Sequence, residues 1–188
     1  SNVVGHTVDA ADIDSVVAFV SKHERVDHLF FTAASGELGT FENQTISEAK
    51  LYFERYFWGS YAAARTALPL MPEQGSITFL SGGYAVRPQA GRTMVAVAQS
   101  AIEGLMRALA VELAPIRVNV ISPGLIDTPL WGGMDEATRN ELFNTEAQRL
   151  PARRIGQPSD VGQAFLYLAT QGYTTGTVLS LNGGWNLV

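Results

Sequence analysis

The chain has 188 residues, of which 46% are hydrophobic and 16% are charged, a composition typical of one compact α/β or α+β domain. A formal net charge of −5 without any basic run argues against nucleic acid as the principal partner. No run approaches ~18 unbroken apolar residues, so we expect no membrane span. The chain contains no cysteine, which excludes disulfides, thiolate zinc sites and a cysteine nucleophile. The first twenty residues include no Lys or Arg, which does not fit a signal peptide. We expect a cytoplasmic location.

The first half of the chain predicts alternating strands and helices. Residues 3–8 predict a short strand, and Asp9 to Asp12 lead into a helix with Ile13, Val16, Val17 and Val20 on its apolar face. Residues 26–34 predict a buried strand that ends in small residues. Thr45 and Glu48 have capping-box spacing and open a long helix to about Met71.

The second half continues the alternation. Residues 76–81 predict a strand, residues 90–113 a helix, and residues 116–121 a strand that Ser122, Pro123 and Gly124 terminate. A polar, exposed helix is expected over residues 135–149, a helix capped by Ser159 and Asp160 to about Thr170, and a last strand over 177–181. Nearly all-apolar strands alternating with helices predict a doubly wound parallel sheet, with helices on both faces and in one domain over residues 1–188.

Several short motifs occur in the order of one family. They are Val8-Asp9 after the first strand, Phe31-Thr32-Ala33-Ala34 after the second, Arg117 to Thr128 with its Pro-Gly-x-x-x-Thr ending, Gly156-x-Pro158-x-Asp160-Val161, Thr175-Gly176 and Asn182-Gly183-Gly184. Together they resemble the short-chain dehydrogenase/reductase family, from that family's third strand to its C terminus, over essentially the whole chain. The resemblance implies a Rossmann-like fold and an oxidoreductase that transfers hydride between NAD or NADP and a carbonyl or alcohol.

The resemblance also implies a set of cofactor-binding residues. Asp9 matches the residue that borders the adenine, although it is equally explained as the start of the turn before a helix. Thr32, Ala33 and Ala34 lie where the ribose passes, and the alanines are equally explained by strand-end packing. After the strand at 116–121, the backbone from Pro123 and Gly124 to Ile126 would meet the nicotinamide carboxamide, and the Thr128 hydroxyl would hold it or a phosphate.

All four catalytic positions of the family have changed. Its Asn, Ser, Tyr and Lys positions hold Tyr56, Gly82, Val95 and Gln99. Lys22 and Lys50 are the only lysines, so no Tyr-x-x-x-Lys pair exists in the chain. Losing a positioned acid/base costs roughly 10²–10⁴ in rate, and losing a donor to the substrate oxygen on the order of 10²–10³ more. We therefore assign no catalytic residue and expect ordinary family catalysis to be impaired.

Other side chains offer partial substitutes. Ser81 is adjacent to the displaced serine and is included in the candidate cofactor site, but a shift of one residue on a strand turns a side chain to the other face. Tyr56 and Tyr84 are candidate hydroxyl donors, and Arg92 is either a nearby cation or an exposed loop residue. The three histidines, at 6, 23 and 28, have no metal-ligand spacing, so no metal site is predicted.

The family's first strands and its Gly-rich phosphate turn have no counterpart in residues 1–188. Without them, the strand at 26–34 would be an apolar sheet edge carrying Leu29, Phe30 and Phe31. We expect either a further N-terminal segment in the natural protein or a partner that covers this edge, and cofactor binding depends on which holds.

The resemblance further implies a homodimer or homotetramer, with a small-molecule substrate if the protein is active. Ser100, Gly104 and Ala108 form a small-residue stripe that a partner or the sheet would approach closely. Two functions remain open: an unusual NAD(P)-dependent oxidoreductase, or a non-catalytic relative that binds a nucleotide or a partner subunit.

Overall fold

Parallel strand pairing organises the structure, a computed structural model that describes residues 3–32 and 39–188. Four strands form one sheet in the order β1-β2-β3-β4, with all neighbours parallel. Their bounds are His28–Phe31 (β1), Ser76–Leu80 (β2), Arg117–Pro123 (β3) and Val178–Leu181 (β4). Because the pairs are parallel, every connection must return across the sheet, and helices make these crossovers.

Six α-helices occur in the described chain. Their bounds are Ile13–Val20 (α1), Ile46–Phe53 (α2), Gly59–Ala67 (α3), Thr93–Glu112 (α4), Glu136–Arg149 (α5) and Pro158–Thr170 (α6). The predicted α/β class and the predicted parallel sheet are confirmed. The Asp12 side chain caps α1, and Thr45 and Glu48 form the predicted capping box at α2.

The two faces of the sheet have separate cores. Ile77, Phe79, Val118 and Val120 pack with α2 and α4, while Ile121 and Leu80 on the opposite face pack with α6. This alternation follows from the period of two along a strand. The result is three layers, helix, sheet and helix.

Arg117, at the start of β3, joins the sheet to α6. Its guanidinium is buried and donates hydrogen bonds to the carbonyls of Leu168, at 2.5 Å, and Ala169, at 2.7 Å. These carbonyls lie in the last turn of α6, where intrahelical donors are lacking. Burial lowers the pKa of Arg117 from its ordinary value. The arginine therefore acts as the C-terminal cap of α6.

The long helix predicted from Thr45 to about Met71 is continuous but not uniform. A π-helical segment, Glu54–Trp58, joins α2 to α3, and a 3₁₀ turn, Leu68–Leu70, ends the run. The Gly59 amide donates to the Glu54 carbonyl, five residues back, and the Ser60 hydroxyl donates to the Tyr56 carbonyl at 2.9 Å. The wider turn carries Tyr56 on its buried side.

Two local predictions are wrong. Residues 3–8 form no strand; Val3 and Val4 are 87% and 75% exposed, and no described strand lies beside them to supply a hydrogen-bond ladder. The cap of α6 is Gln157, not Ser159, and Asp160 occupies the third helical position, from which its carboxylate accepts from the Gln157 amide.

The edge of the sheet and one helix face are open. β1 is an edge strand of the described sheet, and Leu29, Phe30 and Phe31 are only half-buried. On α4, Gly104 faces open space rather than the sheet, and Val97 and Val111 beside it are 46% and 81% exposed. The small-residue stripe therefore faces outward, away from the sheet. That a partner subunit covers it stays a prediction.

The helix α4 is also long and apolar enough, by length and composition, to cross a membrane. It is the one such helix in the parts of the chain that the structure describes. Its inner side chains Ala98, Ile102 and Met106 are fully buried against the sheet. Because the core helix of a soluble protein meets the same criteria, this is weak evidence for a membrane.

The ion pair at the start of α6 makes a pH-dependent contribution to stability. Arg154 forms two hydrogen bonds to Asp160, at 2.6 and 2.9 Å, and with the Gln157 amide lowers the pKa of Asp160 to about 2. A carboxyl group with a lowered pKa stabilises the fold above its unfolded pKa of about 3.9, and this contribution is lost as the pH falls towards 2. We expect Asp160→Asn to lower the melting temperature at pH 7, and the difference from wild type to shrink below about pH 4.

Thermal melts followed by circular dichroism between pH 7 and the lowest pH at which the chain stays folded would measure this difference. Arg154→Gln should show the same pH dependence, because it removes the main partner. Ser159→Ala should leave the melting temperature unchanged. A constant deficit of Asp160→Asn at all pH values would contradict the role assigned to the ion pair.

Candidate functional site

The carboxyl ends of β1, β2 and β3 meet at one edge of the sheet. Phe31 lies opposite Phe79, and Leu80 lies opposite Ile121. Thr32 and Ser81, which follow β1 and β2, therefore lie within about two residues of the level of Pro123, the last residue of β3. Ligands of open parallel sheets bind outside this edge. The structure therefore brings together three of the segments that the sequence assigned to a cofactor site.

The loop from Gly124 to Thr128, called here the 124–128 loop, is held from behind by backbone hydrogen bonds. The Gly124 amide donates to the Leu181 carbonyl at 3.0 Å. The Gly156 amide donates to the Leu125 carbonyl at 3.0 Å, and the Asp127 amide donates to the Gly156 carbonyl at 2.9 Å. A side chain at Gly156 would collide with Ile126, since an added Cβ would be 2.4 Å from the Ile126 Cδ1 atom.

These bonds leave particular polar groups of the loop free. Within residues 3–32 and 39–188, neither the Ile126 amide nor the Thr128 hydroxyl has a hydrogen-bond partner. The indole Nε1 of Trp131 donates to the Ile126 carbonyl at 2.9 Å, so this carbonyl is occupied. The Leu125 and Thr128 amides likewise have no partner among the described residues, so three backbone donors and one hydroxyl of the loop remain for a ligand.

The other predicted cofactor residues have mixed placements. Asp9 is exposed, and its Oδ1 atom accepts from the Ala11 amide at 2.9 Å, which matches its alternative interpretation as a turn residue. Thr32 is exposed at the end of β1. Ala33 and Ala34 lie outside the described residues. Ser81 is buried, and its hydroxyl donates to the Glu103 Oε1 atom at 3.1 Å, so it is directed at a helix.

Tyr56, at the family's Asn position, has a buried and committed hydroxyl. It donates to the Leu80 carbonyl at 3.2 Å, and the ring stacks on Tyr52 with centroids 6.0 Å apart. Burial raises the pKa of Tyr56 well above its ordinary value, with Tyr52 and Glu103 adding to the effect and the Gln99 amide opposing it. This hydroxyl is poorly suited to releasing a proton.

The Ser and Lys positions are in direct contact. A Cβ at Gly82 would lie 2.4 Å from the Gln99 Nε2 atom and 3.1 Å from its Oε1 atom. Gly82 has extended backbone angles, φ 175° and ψ 172°, so its conformation does not require glycine. The Gln99 amide occupies the space that a side chain at residue 82 would need.

Gln99 itself is 7% exposed, and its Oε1 atom is buried without a hydrogen-bond partner among the described residues. Such an atom carries a desolvation cost of about 1–3 kcal/mol. Val95, at the Tyr position, is also buried. The four positions therefore form a packed, uncharged group.

Of the two interpretations of Arg92, the exposed loop residue is wrong. It is half-buried, and with Tyr52 and Val95 it lines a narrow cleft between α2 and the start of α4. Burial raises the pKa of Tyr52, and the charge of Arg92 partly offsets this effect. The arginine lies close to the Tyr position because it immediately precedes α4.

Tyr84 and Trp185 form a second group at this edge of the sheet. Tyr84 is half-buried in the 3₁₀ turn Gly83–Ala85, and its ring meets Trp185 edge-on at 5.7 Å. The guanidinium of Arg87 lies 5.3 Å from the Trp185 ring centroid. The Tyr84 hydroxyl has no partner in the described part of the chain.

Sequence reasoning missed both Trp131 and Trp185. Each follows a Gly- or Pro-containing turn, and no spacing marks a lone tryptophan as a contact to a distant loop. Their indole rings contact Ile126 and Tyr84, respectively. Over the described residues, no group of three or more His, Asp or Glu could hold a metal ion.

Comparison with known proteins identifies the family. Residues 4–186 match a family model described as enoyl-(acyl carrier protein) reductase. The chain is 32% identical to a short-chain dehydrogenase/reductase, ATR9, of Stachybotrys chlorohalonatus, covering 98% of this chain and 76% of that protein.

Solved structures are similar over the same length. A small-chain dehydrogenase in complex with NADPH superposes with a TM-score of 0.92 at 35% identity, covering 96% of this chain and 83% of that one. An NADPH-bound short-chain oxidoreductase of Pseudomonas aeruginosa with an atypical catalytic center gives a TM-score of 0.86 at 26% identity, covering 94% and 74%. The chain therefore belongs to the short-chain dehydrogenase/reductase family of NAD(P)-dependent oxidoreductases.

Proposed function

We propose that this chain binds a nicotinamide dinucleotide, with NADPH as the first candidate, and does not use the family's tyrosine–lysine proton transfer. The observation that carries the proposal is the Gln99 amide in the side-chain space of residue 82. Residue 82 therefore has no hydroxyl to hold a substrate oxygen, and residue 99 has no cation to lower the pKa of a proton donor.

Binding is supported by the 124–128 loop. Its free Ile126 amide suits the carbonyl of the nicotinamide carboxamide, and the Thr128 hydroxyl suits the carboxamide or a phosphate. Because the loop is already fixed by Gly156 and Leu181, little ordering entropy opposes binding. The NADPH complex of a relative with 35% identity supports the choice of cofactor. When bound, the reduced nicotinamide supplies a hydride, and this chain's residues hold and orient it.

Impaired catalysis is supported by the chemistry of the four positions. An amide, a valine and a glycine neither exchange protons nor carry charge. Tyr56 is the one ionisable group among them, and its hydroxyl is committed to the Leu80 carbonyl with a raised pKa. A reacting carbonyl would find neither a hydroxyl donor directed at it nor an acid at these positions.

A second candidate function is reduction with a different proton donor. The specific observation is the Tyr84 hydroxyl, which lies directly after β2 and has no partner within the described ranges. The related oxidoreductase with an atypical catalytic center makes such a rearrangement reasonable. This alternative needs Tyr84 within reach of a carbonyl carbon held at the nicotinamide.

The binding proposal is tested by titrating NADPH and NADH into this chain and into any longer natural form of the protein, using calorimetry. Residues 1–188 contain no Gly-rich phosphate turn, so the longer form should bind NADPH in the micromolar range and more tightly than this chain. Absence of binding by both forms would refute the proposal.

Turnover distinguishes the two candidate functions. We expect no NADPH oxidation above background with a panel of ketones, aldehydes and 3-oxo esters. If oxidation occurs and Tyr84→Phe lowers its kcat about 10²–10⁴-fold, Tyr84 is the donor and the alternative is correct. Tyr61→Phe, on the exposed side of α3, is the matched control and should leave the rate unchanged.

The contact between residues 82 and 99 is tested by a double-mutant cycle. We expect Gly82→Ser to lower the free energy of unfolding by about 1–2 kcal/mol, because the buried Gln99 amide must move. In a Gln99→Ala background the same change should cost clearly less, giving a coupling of at least about 0.5 kcal/mol. Urea denaturation measures both values.

Gly104→Ser is the control for this cycle, because Gly104 faces open space on α4, the helix that carries Gln99. It should not destabilise the chain, since serine has a higher helix propensity than glycine. Equal costs of Gly82→Ser in both backgrounds would show that Gln99 does not occupy the space of residue 82.

A further inference from the structure

We infer that the guanidinium of Arg55, in the π-helical segment, binds a phosphate group of the dinucleotide beyond the carboxyl end of β1. The inference rests on the proposed function, because that function supplies the ligand. It adds a cationic contact two strands away from the 124–128 loop.

The first observation is the level at which Arg55 lies. α2, the π-helical segment and α3 form one helical run that connects β1 to β2, and these strands are parallel, so the run is antiparallel to both. The Tyr56 hydroxyl donates to the carbonyl of Leu80, the last residue of β2. A Cβ at Gly59 would be 3.3 Å from the Cζ atom of Phe31, the last residue of β1. Arg55 precedes Gly59 by about one turn and therefore lies beyond the carboxyl end of β1.

The second observation is the side of the helical run that carries Arg55. A Cβ at Gly59 would be 2.8 Å from the Ala10 carbonyl oxygen, so this side also faces the turn at residues 9–12. Residues about one turn apart share a face of a helix. Arg55 is accordingly half-buried rather than exposed. Its side chain therefore lies on the side of the run that faces the end of β1, beside the exposed residue Thr32.

The third observation is that the guanidinium has no partner. Its Nε atom is buried and accepts no hydrogen-bond partner in the described chain. Over residues 3–32 and 39–188, Arg55 forms neither a hydrogen bond nor an ion pair. A charged group that loses water without gaining a partner costs free energy. An anion at this place would offset that cost.

The carboxylates of the neighbouring turn do not neutralise the charge. The Asp9 Oδ1 atom accepts from the Ala11 amide at 2.9 Å, and the Asp12 Oδ1 atom accepts from the Asp14 amide at 3.0 Å. Both carboxylates thus bond to the backbone of their own segment. The arginine stays unpaired in a chain whose net charge is −5, and we infer that its partner is an anionic ligand.

Phosphate is the anion that fits this place. The planar guanidinium matches phosphate oxygens with paired N–H donors. Since neighbouring strands are 4.7–4.9 Å apart, the ends of β1 and β3 are separated by about 10 Å. A dinucleotide with its nicotinamide on the 124–128 loop is long enough to extend over this distance. Residues 1–188 contain no Gly-rich phosphate turn, so a side-chain cation would supply the phosphate contact.

The test compares two substitutions at residue 55 with a matched control. Arg55→Gln removes the charge, and Arg55→Lys keeps it. Arg65→Gln is the control, because Arg65 is exposed on the same helical run but lies ten residues later, towards the amino ends of the strands. Calorimetry measures the affinities of NADPH and NADH at low and high salt, on whichever form of the protein binds them.

In Arg55→Gln, the dissociation constant of NADPH should rise at least about tenfold, because a charge-assisted contact is lost. In Arg55→Lys it should rise less than about threefold, and in Arg65→Gln it should not change. Salt should weaken binding less in Arg55→Gln than in the wild type, because fewer charge contacts remain to be screened. An equal loss for NADH assigns the contact to the pyrophosphate, and a loss for NADPH alone assigns it to the additional phosphate on the adenosine ribose.

An NADPH affinity of Arg55→Gln within about twofold of the wild type would overturn the inference while the proposed function stands. So would equal losses in Arg55→Gln and Arg55→Lys with the salt dependence of the wild type, since these indicate a structural role. If no form of the wild type binds either dinucleotide, the proposed function fails and the inference with it. Thermal melts identify a variant that does not fold, and Arg55→Met, which keeps an unbranched stem, then replaces Arg55→Gln.

Discussion

The buried parallel pairing of β2 with β3 is the constraint on which the rest of the structure depends. Every residue from Ser76 to Phe79 and from Arg117 to Ser122 is buried, so both faces of both strands must be covered. Covering one face requires α2 and α4, and covering the other requires α6. The parallel direction then brings the strand ends together at one edge, and the candidate site lies there.

At that edge, the loop after β3 and the segment after β2 differ in whether their polar groups are free. The loop after β3 keeps a rigid backbone with an unpaired amide, as a binding site requires. After β2, the Gln99 side chain occupies the space beside Gly82. The family's serine hydroxyl and lysine cation are both absent from these two positions. Under the proposed function, the loop after β3 would hold the dinucleotide, whereas the side chains at the family's catalytic positions pack against one another. The two departures at residues 82 and 99 are therefore in contact with each other.

Much of the fold could be predicted from sequence because its signals are local. The capping box of Thr45 and Glu48, the apolar face of α1 and the Pro-Gly ending of β3 each act within a few residues. The prediction of a strand over residues 3–8 was wrong, because a strand needs a neighbouring strand to pair with and the local sequence does not show whether one is present. The absence of a Tyr-x-x-x-Lys pair can be read from the sequence itself, because Lys22 and Lys50 are its only lysines.

The contacts that decide the site were not predictable. The Gly82–Gln99 contact and the Trp131–Ile126 hydrogen bond depend on where separate segments meet in space, and periodicity carries no information about that. The π-helical segment Glu54–Trp58 likewise has no sequence signature, yet it sets the direction of Tyr56.

The replacement of a cation by an amide has a consequence for how the site responds to its medium. Where a tyrosine and a lysine form a catalytic pair, the charge of the pair changes with proton concentration, and so does its interaction with a charged cofactor. A glutamine has no protonation equilibrium in water, and the Tyr56 hydroxyl stays neutral because burial raises its pKa. These four positions therefore keep the same charge across the neutral range. Their own contribution to the field at a bound dinucleotide would therefore come from dipoles and would not change when the surroundings are acidified.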